Sequence, residues 1–322
     1  MERLVSAPLR IIFMGTAELA CPSLEALTNQ PTFEVAAVVT QPDRPKGRDL
    51  LLAPSPVKQT ATKYKLPVLQ PERARNESFI HELQALSPDL IVAVAYGQIL
   101  PQAILNLPRH GCLNVHASLL PKYRGAAPIQ WAILEDEKET GITIMRMDAG
   151  LDTGVMLASV STAISEQDNA ETLHDRLAQL GAELLVRSIP EYVVGKIRPV
   201  PQPSTGVTYA RKITKEDGRI DWNQPAHAIW NRIRAFIPWP GAFTLWSGKG
   251  KPQLLKIWAA EEMPNVSGEP ARILGKDGHG IVVACGQGAL RITSLQVEGG
   301  RRLSAEQFLS GHALREGEPL GR

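Results

Sequence analysis

Six short aliphatic runs, at residues 9–14, 35–40, 90–95, 112–116, 141–145 and 155–160, constrain the fold of this chain more than any other feature. They are rich in Val, Ile and Leu, and most lack the strict apolar–polar alternation of a strand with one wet face. A strand that is apolar on both faces must be covered on both, as in a parallel sheet flanked by helices. Helical spacing fills several of the intervals, at 57–64, 78–86 and 127–134. A longer stretch, 170–192, sets Leu173, Leu177, Leu180, Leu184 and Leu185 on one stripe and closes this part of the chain. The expected class is α/β, with a doubly wound, mostly parallel sheet.

Such sheets often bind nucleotides, but the first strand-to-helix turn argues against two common ones. Gly15-Thr16-Ala17-Glu18 contains one glycine and no Gly-x-Gly-x-x-Gly, which disfavours a nicotinamide or flavin dinucleotide. No Gly-Lys-Ser/Thr supports an ATP site. Cys21, Cys112 and Cys285 are far apart and without Cys-x-x-Cys spacing, so they read as reduced thiols of a cytoplasmic protein. No apolar run approaches the roughly 20 residues of a membrane span. The first ten residues are too short and mixed for a secretory signal.

After residue 195 the texture changes. Gly-Lys-Ile-Arg-Pro-Val-Pro-Gln-Pro, at 195–203, spaces prolines at alternate positions, where fixed φ angles stop both helix and central strand. The predicted organisation is a domain over 1–195, a semi-rigid linker over 196–208 and a second domain over 209–322. In the latter, a helical segment at 226–236 precedes strand candidates at 242–246, 254–259, 280–284 and 290–296. Their Gly and Pro punctuation predicts a small OB-like β-barrel. The net charge is only +2, yet from Gly206 onward 16 Lys and Arg face 11 Asp and Glu, a surplus of 5. A basic second half points to a polyanionic partner.

The chemistry concentrates in two places. The run at 112–116 ends Asn114-Val115-His116, and residues two apart on a strand share a face. An amide can donate to a developing oxyanion while an imidazole, which titrates near neutrality, moves a proton. An isolated Asn-x-His at a strand end would more often make turn hydrogen bonds. The second place is Met147-Asp148-Ala149-Gly150-Leu151-Asp152-Thr153-Gly154, a glycine-punctuated loop with two carboxylates directly after another aliphatic run.

In that order, Asn-x-His-x-Ser-Leu-Leu-Pro-x-Tyr-Arg-Gly followed by Asp-Ala-Gly-Leu-Asp-Thr-Gly resembles the folate-dependent formyltransferases. The resemblance implies a Rossmann-like catalytic domain, 10-formyltetrahydrofolate as co-substrate, no metal, and Asn114, His116 and Asp152 as the catalytic residues. Asp152 would pair with His116 or hold a proton-relaying water. The resemblance also implies that Ser118, Leu119, Leu120 and Pro121, with Tyr96, Gly97, Gln98, Ile99 and Asp148, meet the folate. Two acceptors remain possible within the family, an aminoacyl-tRNA and a nucleotide-linked amino sugar. The second domain and the basic loop containing Arg44, Lys46 and Arg48 favour the branch acting on initiator methionyl-tRNA. Lys212, Arg301 and Arg302 would add tRNA contacts, and the chain is expected to act as a monomer without membrane attachment. A folate- or tRNA-binding protein without catalysis is the non-enzyme alternative, and the intact Asn114, His116 and Asp152 argue against it. Trp230, Phe236 and Trp239 could stack on an unpaired base, although packing is the commoner role for a tryptophan between two prolines.

Overall fold

The structure is a computed structural model that describes residues 7–46, 51–247 and 251–321. Two compact units form. The first takes the chain up to Pro128 with Glu139–Ala163 and His174–Ala210; the second takes Ile129–Lys138, Ile164–Leu173 and everything from Arg211.

The first unit opens with β1 (Leu9–Gly15), α1 (Cys21–Thr28) and β2 (Phe33–Val39), then a small hairpin of β3 (Arg44–Lys46) and β4 (Leu51–Ala53). It continues through α2 (Pro56–Lys63), β5 (Val68–Leu69), α3 (Glu77–Ala85), β6 (Leu90–Val94), α4 (Gln102–Leu105), β7 (Cys112–His116) and β8 (Arg124–Gly125). After α5 (Pro128–Leu134), which belongs to the second unit beyond its first residue, come β9 (Glu139–Arg146), β10 (Val155–Ala163), α6 (Ala170–Val193), assigned to the first unit from His174 on, and β11 (Tyr209–Ala210). Ser55 shows how these elements are punctuated: its hydroxyl accepts from the Lys58 amide at 3.0 Å, and Pro56 occupies the first turn of α2, where its missing N–H costs nothing.

The main sheet has the order β10-β9-β7-β6-β1-β2-β5. Strands β1, β2, β5, β6 and β7 are parallel, whereas β9 runs antiparallel to β7 and β10 antiparallel to β9. Ile11, Ile12, Phe13 and Met14 are fully buried in β1, as a centre strand covered on both sides requires. At the edge, β10 alternates half-buried and exposed residues over its second half. The chain builds outward from β1 through β2 to β5, then returns to place β6 on the other side of β1. That reversal makes a crevice at the carboxyl ends of β1 and β6, the position where open sheets of this kind bind ligands.

In the second unit, α7 (Ala226–Ala235) precedes β12 (Ala242–Trp246), β13 (Gln253–Met263), β14 (Ile273–Asp277), β15 (Gly280–Ala284), β16 (Ala289–Val297), β17 (Leu303–Ser304) and α8 (Ala305–Gly311). The strands form an antiparallel sheet in the order β12-β13-β16-β15-β14, with β17 on β16. Among the described residues β14 and β12 do not pair directly, so the predicted OB-like closure is not confirmed. The chain end bridges that gap instead: Ile273 N donates to Glu318 O at 3.0 Å, Leu320 N to Ala271 O at 2.9 Å and Gly321 N to Leu245 O at 2.8 Å. Trp246 and Phe308, both below 2% exposed, sit in the core of this unit.

A polar clasp also belongs to the second unit. His227 Nδ1 lies 2.9 Å from Glu262 Oε1, and Nε2 lies 3.0 Å from Asp136 Oδ1. Carboxylates only accept, so both ring nitrogens must donate and the imidazole is held as the cation. Burial opposes that charge, but the bonds to Glu262 and Asp136 outweigh it and raise the pKa of His227 above the ordinary histidine value.

Candidate active site

Asn114 and His116 stand at the carboxyl end of β7, which is held between β6 and β9; Asn114 lies opposite Ala93 on one side and Met145 on the other. Both side chains line a cleft of about 580 Å³ beside the reversal in strand order. Asn114 is half-buried and His116 is 6% exposed, so the imidazole is shielded from bulk water on most sides. Its Nε2 lies 2.9 Å from the carbonyl of Tyr123. A carbonyl can only accept, so Nε2 carries a proton and neutral His116 has a bare Nδ1.

That bare nitrogen faces Asp152, with Nδ1 and Oδ2 3.7 Å apart. The separation is too long for a hydrogen bond, but it is an ion-pair distance once Nδ1 gains a proton. The same carboxylate accepts from the Gly125 amide at 2.8 Å through Oδ2 and from Asn114 Nδ2 at 3.3 Å through Oδ1. The Asn114 amide has a second N–H to offer a ligand. An amide donor, a proton-accepting nitrogen and a carboxylate thus converge at one end of one cleft.

The loop that brings Asp152 there is tightly specified. Asp152 itself has φ 51°, a left-handed conformation uncommon for a residue with a side chain. At Gly154 an added Cβ would lie 1.9 Å from the Arg146 carbonyl, so only glycine allows the loop to turn back onto β9. Asp148 Oδ1 accepts from Gly150 N at 3.0 Å and from Thr153 Oγ1 at 2.6 Å, tying the loop to itself.

The other wall of the cleft follows β6. Gly97 has φ +82°, and Gln98 fastens the segment by accepting from the Ala74 amide at 2.7 Å. Ile99 is 86% exposed and Leu151, on the opposite wall, 58% exposed. Two aliphatic side chains left open to water at the mouth of a cleft are suited to contact an organic ligand. The Tyr96 ring is buried in the wall, its hydroxyl has no hydrogen-bond partner among the described residues, and burial pushes its pKa up to about 12. Cys112, on the same strand as Asn114, is likewise pushed up to about 12 by burial, so it offers no thiolate nucleophile at neutral pH.

The profile of the formyl transferase family matches residues 9–189, and that of the formyl transferase C-terminal domain matches 212–313. A methionyl-tRNA formyltransferase of Caldanaerobacter subterraneus is 51% identical over 313 residues, covering 97% of this chain and 100% of the relative. One from Geobacter metallireducens is 50% identical, covering 98% and 99%. The chain belongs to the methionyl-tRNA formyltransferase family. Solved structures share the fold at low identity. An N-formyltransferase of Helicobacter canadensis, crystallised with folinic acid and dTDP-3-aminofucose, has a TM-score of 0.62 at 18% identity and covers 92% of this chain and 100% of its own. HypX of Aquifex aeolicus with tetrahydrofolic acid has a TM-score of 0.60 at 18% identity, covering 94% and 47%.

Around this candidate site the expected residues fall into distinct groups. Asn114, His116, Asp152, Tyr96, Gly97, Gln98, Ile99 and Asp148 all line the same cleft. Ser118, Leu119, Leu120 and Pro121 do not line it. Ser118 is fully buried, its hydroxyl donating to Lys122 O at 2.6 Å and its carbonyl accepting from Thr143 Oγ1 at 2.7 Å. These bonds brace the turn that follows His116. Among the basic residues, Arg44 is exposed at the start of the β3–β4 hairpin; Arg48 and the side chain of Lys46 lie outside the described residues. Lys212 and Arg301 are exposed, and Arg302 donates to Ser294 Oγ at 2.9 Å with its guanidinium 5.4 Å from the Trp258 ring centroid. Phe236 is 1% exposed and the Trp230 ring is covered by Arg234 at 3.9 Å, so the three aromatics form no open stacking platform. Trp239 is 55% exposed.

Two further groups hold Asp152 in place, one at the end of the motif that begins at Asn114 and one far outside it. One is the amide of Gly125, which bonds Asp152. The other is Gln202, whose Nε2 donates to the carbonyls of Asp152 and Gly154, both at 2.8 Å. Gln202 lies inside the stretch read as a linker, where a glutamine between prolines looks like any solvated residue.

Proposed function

We propose that Asn114, His116 and Asp152 carry the chemistry of this formyltransferase and that the cleft they share receives the folate. The protein transfers a formyl group from 10-formyltetrahydrofolate to the amino group of methionyl-tRNA, giving N-formylmethionyl-tRNA for translation initiation. The observation that carries the site assignment is the convergence of three groups from β7 and the 148–154 loop at one end of the cleft. The cleft suits a folate: its volume lies within the ~300–1,000 Å³ of small-molecule sites, aliphatic side chains stand open at its mouth, and an unpartnered buried hydroxyl lies in its wall.

When bound, 10-formyltetrahydrofolate supplies an electrophilic formyl carbon. Asn114 Nδ2 donates to the formyl oxygen as negative charge grows there during attack by the amine, a contact worth most in the transition state. His116 takes the amine proton, directly or through water, on Nδ1, since Nε2 is committed to Tyr123 O, and returns it to the folate nitrogen as the bond from that nitrogen to the formyl carbon breaks and tetrahydrofolate leaves. Asp152 faces the resulting imidazolium and is itself held by Gly125 N. Tyr96, Gly97, Gln98, Ile99 and Asp148 form the folate walls, with Ser118, Leu119, Leu120 and Pro121 bracing the end of β7 beside them.

Residues 1–195 carry the catalytic site, residues 196–208 the connection, and residues 209–322 the tRNA-binding domain in this reading. Arg44, Lys46, Arg48, Lys212, Arg301 and Arg302 meet tRNA phosphates, and the protein acts as a cytoplasmic monomer. Incubating it with labelled 10-formyltetrahydrofolate and both charged initiator tRNA and a nucleotide-linked amino sugar tests the acceptor. Label should enter methionyl-tRNA; entry into the sugar alone would overturn the assignment. Each lost phosphate contact should flatten the log–log salt dependence of tRNA affinity by about 0.7–0.9. An unchanged slope in the Arg44→Ala/Lys46→Ala/Arg48→Ala variant would remove that loop from the interface. A single sedimenting species of dimer mass would contradict the monomer.

A further inference from the structure

We infer that Gln202 is a positioning residue of the formyl-transfer site, holding the backbone that carries Asp152. The inference rests on the role given to Asp152 above.

Gln202 uses its whole hydrogen-bonding capacity on this task. Its two N–H groups reach the carbonyls of Asp152 and Gly154, each at 2.8 Å, and its Oε1 accepts from Arg124 Nη2 at 2.7 Å and Arg124 Nε at 3.1 Å. Carbonyls only accept and a guanidinium only donates, so the amide can face in one direction only. Arg124 precedes Gly125 in β8, and the Gly125 amide bonds the Asp152 carboxylate at 2.8 Å. One side chain therefore ties together the backbone of the Asp152 loop and the strand that grips its carboxylate.

Gln202 is itself fixed. Val200 and Met156 exchange backbone hydrogen bonds of 2.8 Å, and Thr208 accepts from Tyr123 N through Oγ1 at 2.8 Å and from Arg124 N through its carbonyl at 2.9 Å. Pro201 and Pro203 limit the backbone on either side. The need for such a clamp is visible at Asp152, whose φ of 51° is unfavourable for an aspartate left free. Releasing the clamp moves the carboxylate away from His116 Nδ1 while leaving the wall formed by Tyr96, Gly97, Gln98 and Ile99 intact and Asp148 still tied to Gly150 N and Thr153 Oγ1.

Gln202→Met keeps the length and loses every hydrogen bond; Gln202→Glu keeps the shape and cannot donate to either carbonyl. Both should lower kcat roughly 10- to 100-fold, the cost of misplacing a catalytic group by a fraction of an ångström to an ångström, with folate Kd unchanged within about twofold. Arg124→Met, which frees the amide to turn with Gln202 in place, should show the same kcat-only loss. In an Asp152→Asn background, followed by single-turnover formylation, Gln202→Met should cost almost nothing, because the residue it positions is already disabled. A normal kcat in both Gln202 variants, or the same loss with and without Asp152, would overturn the inference. A normal kcat in Asp152→Asn itself would instead overturn the catalytic reading.

Discussion

Asn114 and His116 leave a strand flanked on both sides by others, so the sheet ladder fixes where their side chains point. Asp152 stands on a loop, in a left-handed conformation, and is held beside them by bonds from Gly125, from Asn114 itself and from Gln202, 50 residues away in sequence. The two sides of the candidate site are thus stabilised by different means. The strand side is held by packing and will tolerate little loss of core. The loop side is held by a few directed hydrogen bonds and close approaches, and small changes there should harm turnover before stability.

The largest effect should come from the strand side's own chemical groups. His116→Ala should cost on the order of 10²–10⁴ in turnover, and Asn114→Ala roughly 10²–10³, with folate Kd little changed in both. A Kd shift that accounts for the whole loss of Asn114→Ala would make it a binding residue. Next, Gly154→Ala places a methyl group where the Arg146 carbonyl now sits, 1.9 Å away, and displaces the Asp152 loop. Steady-state kinetics should show kcat reduced by up to about 10²-fold with a modest loss of melting temperature.

Leu113→Ala sharpens the contrast from the other direction. Leu113 is fully buried in β7, beside Asn114. Its truncation should lower unfolding free energy by about 2–5 kcal/mol, read by urea titration, while the folded enzyme keeps most of its turnover. Equal damage to stability and kcat by Leu113→Ala and Gly154→Ala would erase the distinction between the two sides.

Much of this was legible before any coordinates. The aliphatic runs at 9–14, 90–95 and 112–116 became β1, β6 and β7, because a strand buried on both faces leaves no polar alternation to misread. The paired motifs led to Asn114, His116 and Asp152, which do meet. What escaped was long-range and side-chain specific. Gln202 acts across the fold from a proline-rich segment, and nothing local marks it. The β3–β4 hairpin and β14 were missed because three to five residues with Pro or Gly, such as Arg44-Pro45-Lys46, read as loop. The bridging of the second unit's sheet by its own chain end depends on a bond accepted by the Glu318 carbonyl and bonds donated by Leu320 and Gly321 that no strand pattern predicts.

The smallest expected effect lies away from the cleft, at His227. Its folded pKa is raised, so its contribution is fully present below the unfolded value near 6.5 and is lost as pH rises through the folded value. His227→Gln should therefore lower the melting temperature in mildly acidic buffer and have progressively less effect in alkaline buffer. A deficit that grows with pH would show that the two carboxylates do not favour the cation.

If a strand-borne imidazole and a loop-borne carboxylate act as one unit, removing both should cost little more than removing one. Single-turnover formylation of methionyl-tRNA by His116→Ala, Asp152→Ala and the double variant tests it directly. The account predicts that each single variant loses on the order of 10²–10⁴ and that the double variant is hardly slower than the worse single one. A double variant slowed by the full product of the two factors would mean that His116 and Asp152 work independently, and would contradict the account.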